Sequence, residues 1–214
     1  MGMSRMWRSD PEDSSRGVLA IERQRDALRS FHLTNGHPGE FVSIGLDADR
    51  RILGSNRGLE SVTYGAQGSP LAGKIVTIAE RAYRNRGDTI PGWIVGMGSF
   101  SIVRHDDYDV SSARFLADGD LLILERRFSP AWGLALRLRR IEGSAVKPGA
   151  RLDGEILLDA GMRSQIDNME GLAVHRDAEN RTVLTLVSDD NFSILQRTLV
   201  LQFALLDRSH EATN

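Results

Sequence analysis

Acidic side chains recur beside arginines at the ends of apolar segments, a pattern suited to cation binding. These acids are Glu60, Glu80, Glu125, Glu170, Asp189 and Asp190, and the arginines near them are Arg57, Arg81, Arg126 and Arg127. The start of one antiparallel strand lies beside the end of the next. If the apolar segments are such strands, we expect the carboxylates to gather on one rim of the fold.

Carboxylates gathered on one rim need a compensating charge. Two of them about 4 Å apart repel by about 4 kcal/mol at an effective dielectric near 20. Ca²⁺ takes its oxygen ligands from carboxylates and amides, so it would relieve this repulsion. We therefore predict a Ca²⁺ site whose candidate ligands are Glu60, Glu125, Glu170, Asp189, Asp190 and Asn191, with Asn168 as a further source of neutral oxygen.

The same acids have a structural interpretation, which the sequence leaves open. Glu22, Glu80 and Glu125 each precede an arginine at the end of an apolar run. Such pairs could join neighbouring units of a repeat by ion pairs alone. The five histidines show no metal-ligand spacing, and the serines lack a nucleophile-elbow motif.

Composition places the chain among soluble globular proteins and excludes several functional classes. Its 214 residues are 41% hydrophobic and 26% charged, with a net charge of −2. That charge gives no electrostatic support for binding nucleic acid or an anionic membrane. There is no cysteine, hence no disulfide or thiolate site. No apolar run approaches the roughly 18 residues of a membrane helix, and no signal peptide is visible, so we expect the chain as written not to be exported.

Apolar segments bounded by turn residues predict an all-β fold. We expect strands at Gly17–Glu22, Ala27–Leu33, Phe41–Leu46, Leu59–Tyr64, Lys74–Glu80, Trp93–Met97, Phe100–Arg104, Val110–Leu116, Asp120–Glu125, Gly133–Ile141, Glu155–Asp159, Gly171–His175, Thr182–Val187 and Thr198–Leu205. A helix over Ile75–Arg86 is the one alternative. Elsewhere no helical periodicity is present.

The segments repeat, which favours a β-propeller. Three strand pairs follow one another at roughly fifty-residue intervals. The first strand of each pair opens at Glu60, at Ser111 and Ser112, or at Glu170, and the second strand ends in an acid. We predict a partial propeller of about three to four four-stranded blades. Residues 17–206 would form the blades, 1–16 a disordered or atypical segment, and 207–214 a tail. The last blade would lack one strand, so we expect self-association through its open edge.

Two stretches resemble the C-terminal half of the phytase-like propeller family, which has esterase-like activity related to phytases. They are FLADGDLLILERRFSPAWGLALRLRRI and DNMEGLAVHRDAENRTVLTLVSDDNFSILQRTLVLQFAL, and NRGLES at 56–61 resembles an earlier blade. The resemblance implies a six-bladed fold of which this chain would lack the front part. Family members often carry an export signal, which implies a periplasmic or secreted location.

The resemblance also implies a function: metal-assisted hydrolysis of phosphate or related esters, with Ca²⁺ as cofactor and a small-molecule ester as substrate. The expected catalytic residues are Glu170, Asp189, Arg126 and Arg127, and the expected substrate-binding residues are Arg57, Arg81 and Asn168. Two alternatives remain. One is a non-catalytic propeller that binds a partner or serves as a scaffold, and the other is a lactonase-type propeller hydrolase.

Overall fold

The described part of the chain is built from β-strands. The structure is a computed structural model and describes residues 5–9, 16–21, 27–35, 37–46, 58–81, 88–131 and 133–206. These residues form strands, turns and two 3₁₀ turns, Gly143–Ala145 and Met162–Ser164. The prediction of an all-β fold is confirmed. None of the described residues belongs to a helix of the length and hydropathy that a membrane crossing requires.

The strands form four sheets, in which all pairs are antiparallel except that of β13 with β9. Sheet 1 contains β1 (Arg5–Ser9), β2 (Arg16–Ile21), β3 (Ala27–Thr34), β4 (His37–Pro38) and β5 (Val42–Ile44). Sheet 2 contains β6 (Leu59–Tyr64), β7 (Ile75–Ala79), β8 (Thr89–Ile94) and β9 (Gly98–Val103). Sheet 3 contains β10 (Asp109–Phe115), β11 (Leu121–Ser129) and β12 (Gly133–Ile141). The chain then contributes β13 (Arg151–Leu152), which pairs in parallel with β9, before β14 (Glu155–Gly161) completes sheet 3. Sheet 4 contains β15 (Met169–Arg176), β16 (Thr182–Ser188) and β17 (Val200–Leu205).

Consecutive sheets pack through their first strands. β1 and β2 contact β6, β6 contacts β10, and β10 contacts β15. This succession of antiparallel sheets, each packed on the next, is propeller-like. Within the described residues the sheets do not form a closed ring.

Both faces of the middle sheets are buried, which explains why their strands read as continuous apolar runs. On β11, Leu121 and Ile123 pack into the core between sheets 2 and 3. The alternate residues Leu122 and Leu124 pack into the core between sheets 3 and 4. Successive side chains of a strand point to opposite faces, so one strand serves two cores.

A β-bulge recurs at the same place in three sheets. The register shifts between Leu59 and Ser61, between Val110 and Ser112, and between Met169 and Gly171. The extra residues are therefore Glu60, Ser111 and Glu170, near the start of the first strand of each sheet. A bulge leaves one residue out of the ladder and re-aims its side chain. This local irregularity, rather than regular strand geometry, sets the direction of three rim residues.

Most predicted strands agree with the structure to within a few residues. The helix alternative is wrong for Ile75–Ala79, which forms β7. The remainder of that predicted helix from residue 82 onward lies outside the described part, as does Glu22, the predicted last residue of the first strand. The strand predicted at Trp93–Met97 instead runs from Thr89 to Ile94 and includes Pro91. A proline fits there because the pairing of β8 with β7 ends at Gly92. Arg5–Ser9, inside the segment predicted to be disordered or atypical, forms β1, and the predicted tail at 207–214 lies outside the described residues.

Candidate functional site

The three bulged residues line one cavity at the ends of sheets 2, 3 and 4. The cavity has a volume of about 230 Å³ and is formed by Glu60, Ser111, Arg126, Glu170, Gly171, Val187, Ser188 and Asp189. We call it the rim cavity. Four residues that the sequence singled out, Glu60, Arg126, Glu170 and Asp189, are thus brought together. Their chemical roles stay predictions.

Arg126 lies at the centre of a polar network that joins three sheets. Its Nη1 donates a hydrogen bond to Asn168 Oδ1 at 2.8 Å and lies 3.5 Å from Glu170 Oε1. Its Nη2 lies 3.8 Å from Glu80 Oε1. Asn168, which is buried, donates from Nδ2 to Glu170 Oε1 at 2.7 Å. The guanidinium and the amide therefore fix the orientation of the Glu170 carboxylate at the cavity wall.

Asp189 is placed by backbone contacts at the end of β16. Its N–H donates to the carbonyl oxygen of Asn168 at 3.0 Å. Its Oδ1 accepts a hydrogen bond from the N–H of Asn191 at 2.9 Å, which closes a short turn. The side chain is exposed. Asp189 therefore presents a carboxylate to solvent at the cavity mouth while its backbone remains tied to sheet 4.

Glu125 lies elsewhere, because the strand register differs by one residue from the repeat that the sequence suggests. Across the ladders, Leu59 pairs with Ala79, Val110 with Glu125, and Met169 with Ser188. Measured from the bulge, the equivalent of Glu80 and Asp189 is therefore Arg126. A one-residue slip exchanges the two faces of a strand. The expectation that Glu125 gathers with Glu60 and Glu170 on the rim is corrected for this reason.

The Glu125 side chain instead forms a buried ion pair with Arg139. Arg139 donates from Nε to Oε2 at 2.8 Å and from Nη2 to Oε1 at 2.5 Å. The side chains of the two residues are 1% and 0% exposed. Burial raises the pKa of Glu125, and the hydrogen bonds from Arg139 oppose that rise. A fully buried guanidinium needs a nearby negative charge, so this carboxylate serves the core between sheets 2 and 3.

The other predicted residues make local contacts around the cavity or lie away from it. Arg81 forms an ion pair with Asp109 at 2.9 Å. Asp190 accepts hydrogen bonds from the N–H of Phe192 and the hydroxyl of Thr198. Asn191 donates its side-chain amide to Gln196. Arg127 lines a different cavity, and Arg57 lies outside the described residues.

The donor chemistry of the rim cavity suits a hard cation, but the donors are not assembled into a site. Glu60, Glu170, Asp189 and Ser111 offer only oxygen atoms, which is the set that Ca²⁺ prefers. Across the described ranges, however, no three carboxylate or imidazole groups are placed closely enough to hold a metal ion. The predicted Ca²⁺ site stays a prediction.

Sequence reasoning missed Ser111, which lines the cavity, and Arg139, which holds Glu125 away from it. Ser111 was placed as a strand opener equivalent to Glu60 and Glu170, but not as part of the site. It is buried, and its hydroxyl donates to the carbonyl oxygen of Met169 at 3.0 Å, which connects sheets 3 and 4. Its position in the repeat was the available signal. Arg139 carried no such signal, because its partner lies on the neighbouring strand β11.

Comparison with known families supports the resemblance noted in the sequence. No curated protein matches the chain. The model of one family, described as "Phytase-like: Esterase-like activity of phytase", matches residues 10–192 of the 214. The match includes sheets 2 and 3, both strands of sheet 4 that line the rim cavity, and all four of its predicted site residues. The chain belongs to this Phytase-like family.

Proposed function

We propose that the protein hydrolyses phosphate or related esters at the rim cavity. The observation that carries this proposal is the convergence of Glu60, Arg126, Glu170 and Asp189 on one cavity of about 230 Å³ in a chain of the Phytase-like family. The family description supports an esterase or phosphatase type of reaction. The convergence supplies a place in which this reaction would occur.

In this proposal Asp189 is the base and Glu170 is held in a fixed position by its neighbours. The Oδ1 atom of Asp189 accepts one backbone hydrogen bond, and its side chain is exposed to solvent, where it can take a proton from an attacking water. Asn168 and Arg126 restrain Glu170. The guanidinium of Arg126 is the cation nearest to the charge that develops on the ester.

The charges of the cavity argue for an added cation. Three of the charged residues that line the cavity, Glu60, Glu170 and Asp189, carry carboxylates, and one, Arg126, carries a guanidinium. An anionic ester would be repelled by this excess. We therefore include Ca²⁺ in the proposal; Glu60, Glu170 and Asp189 would supply its oxygen ligands only after moving closer together than they lie in this structure. A bound metal ion of this kind polarises an ester and lowers the pKa of water.

The proposal extends to the architecture: we take the four sheets to be part of a six-bladed propeller, as the resemblance implies. The support is the repeated bulge and the repeated packing of first strands. In a propeller these features would place the bulged residues around the central axis.

The test measures phosphate release from phytate and hydrolysis of p-nitrophenyl phosphate and p-nitrophenyl acetate, each with Ca²⁺ or with a chelator. We expect turnover that requires Ca²⁺, and a loss of about a hundredfold in kcat/KM for Glu170→Gln. The matched control is Glu179→Gln in the turn at the opposite end of the same strand pair, which should retain activity. Absence of turnover on all three substrates, with and without Ca²⁺, would reject the proposal. Turnover of a lactone without phosphatase activity would indicate the lactonase-type alternative.

A second candidate function is a non-catalytic binding module or scaffold. The observation that favours it is that Arg126 bridges Glu80 of sheet 2 and Glu170 of sheet 4, as an ion-pair network that only joins sheets would do. In that case Glu170→Gln would lower stability without any activity to lose. Calorimetry showing no heat of Ca²⁺ binding, together with inactivity on every ester, would support this candidate.

A further inference from the structure

A second and larger cavity lies at one end of sheet 3. Its volume is about 620 Å³. It lies among the ends of β11, β12 and β14, the 3₁₀ turn at Met162–Ser164 and the loop before β10. Its apolar wall includes Leu134, Ala160 and Met162, and its polar wall includes Tyr108, Arg127 and Arg163. We call it the arginine cavity. The rim cavity shares none of these residues.

Two arginines of this cavity have no carboxylate partner among the described residues. Arg127 donates from Nη1 to the carbonyl oxygen of Asp106 at 3.1 Å and stacks 4.8 Å from the centre of the Tyr108 ring. Its Nε is buried and has no hydrogen-bond partner in the described part of the chain. Arg163 is exposed, and the described residues form no ion pair with it. By contrast, Arg137, Arg139 and Arg140 on the adjacent β12 are each paired with carboxylates.

The one carboxylate among the residues that line the cavity, that of Asp159, is bound by Arg137 and Tyr108. Asp159 Oδ2 accepts hydrogen bonds from Arg137 Nε at 2.9 Å and Nη2 at 2.7 Å. Its Oδ1 accepts a hydrogen bond from the hydroxyl of Tyr108 at 3.0 Å. Arg137 also stacks on Tyr108, with 4.2 Å between its guanidinium and the ring centre. Arg137 also forms an ion pair with Asp106 at 2.9 Å, and Asp106 attracts Arg127 as well. Three guanidinium groups, of Arg127, Arg137 and Arg163, therefore stand against two carboxylates, of Asp106 and Asp159, which leaves one net positive charge around the cavity.

We propose that the arginine cavity binds a small amphipathic organic anion. Its carboxylate or phosphate group is held by Arg127 and Arg163, since guanidinium groups match the geometry of both anions. Its apolar part packs against Leu134 and Met162. A volume of about 620 Å³ is within the range of small-molecule sites. This inference does not depend on hydrolysis at the rim cavity.

The test uses probes that contain no ester bond, so its outcome is separate from that of the activity assay. Isothermal titration with benzoate and with phenylphosphonate measures binding of the two anionic groups, and benzamide is the neutral control of the same shape. We expect saturable binding of one molecule of at least one anion per chain, with benzamide at least about tenfold weaker. Arg127→Gln and Arg163→Gln should each weaken the binding by about tenfold.

Arg151→Gln is the matched control, because Arg151 is an exposed arginine paired with Asp88 and is not part of this cavity. Arg163→Gln is the variant that should disturb folding least, because the Arg163 side chain is exposed to solvent. Near-ultraviolet circular dichroism checks the packing of Tyr108 in each variant. The inference is overturned if neither anion binds the wild type, if benzamide binds as tightly, or if Arg163→Gln and Arg151→Gln have the same effect.

Discussion

The environment of Tyr108 is set by residues that are distant in the sequence, so sequence patterns do not predict it. It is 1% exposed and lies against the guanidinium groups of Arg127 and Arg137. Its hydroxyl donates to Asp159, which is far away in the chain. Burial raises the pKa of Tyr108, and the bond to Asp159 raises it further. Nothing in the composition or periodicity around residue 108 predicts these partners, because they come from β11, β12 and β14.

This raised pKa can be measured in an alkaline titration. Since the folded-state pKa exceeds the unfolded value near 10, the folded protein retains the phenolic proton over a pH range in which the unfolded chain has lost it. Stability therefore falls as the pH rises above about 10. Tyrosinate absorbance should show a component that appears only above this pH. Tyr108→Phe should remove that component, and an unchanged titration curve in the variant would contradict the expectation.

At the scale of the elements, the sequence predicted strands well and their register less well. β6 was predicted with the bounds that the structure shows, because Leu59–Tyr64 is an apolar run enclosed by turn residues. The rim position of Glu60, Glu170 and Asp189 also followed from antiparallel pairing. The placement of Glu125 did not, because aligning the acids at the strand ends equates Glu125 with Glu80, whereas in the ladders Glu125 occupies the position of Ala79.

The register makes a prediction about two neighbouring residues of β11. Glu125→Gln leaves Arg139 in the core with only the half-exposed Asp153 as a counter-charge, and should cost about 3 kcal/mol of unfolding free energy. Arg126→Gln affects a side chain that is 30% exposed but donates to the buried Asn168, and should cost less, about 1 kcal/mol. Urea denaturation of both variants measures the difference. Equal losses, or a larger loss for Arg126→Gln, would show that the two side chains do not lie on opposite faces as described.

At the scale of the molecule, no described part of the chain covers one face of sheet 4, whereas the equivalent faces of sheets 2 and 3 are covered. In the register set by the bulges, Val187 of sheet 4 corresponds to Leu124 of sheet 3, which is buried beneath sheet 4. Val187 and Val200 lie on the outer face of sheet 4 and are 38% and 63% exposed. Among the described residues, β17 pairs only with β16. An exposed apolar face beside an unpaired edge favours association.

We expect a second copy of the chain to cover this face, because sheets of this same chain cover the equivalent faces of sheets 2 and 3. Size-exclusion chromatography with light scattering should show a mass that increases with protein concentration. Val200→Lys should shift the population towards the monomer, since a lysine on an edge strand opposes pairing. Phe128→Lys, which removes an exposed apolar side chain from sheet 3, is the control and should leave the mass unchanged. A wild type that stays monomeric at all concentrations would contradict the expectation.

The rim cavity takes its wall from three separate sheets, with Glu60 from sheet 2, Arg126 from sheet 3 and Asp189 from sheet 4. A compound seated there can remain bound only while all three sheets are docked. Its binding free energy therefore adds to the resistance of the protein to heat. A rise in melting temperature that Glu170→Gln reduces would identify compounds that fill this cavity even before any reaction is known, which makes thermal-shift screening a route to the natural substrate.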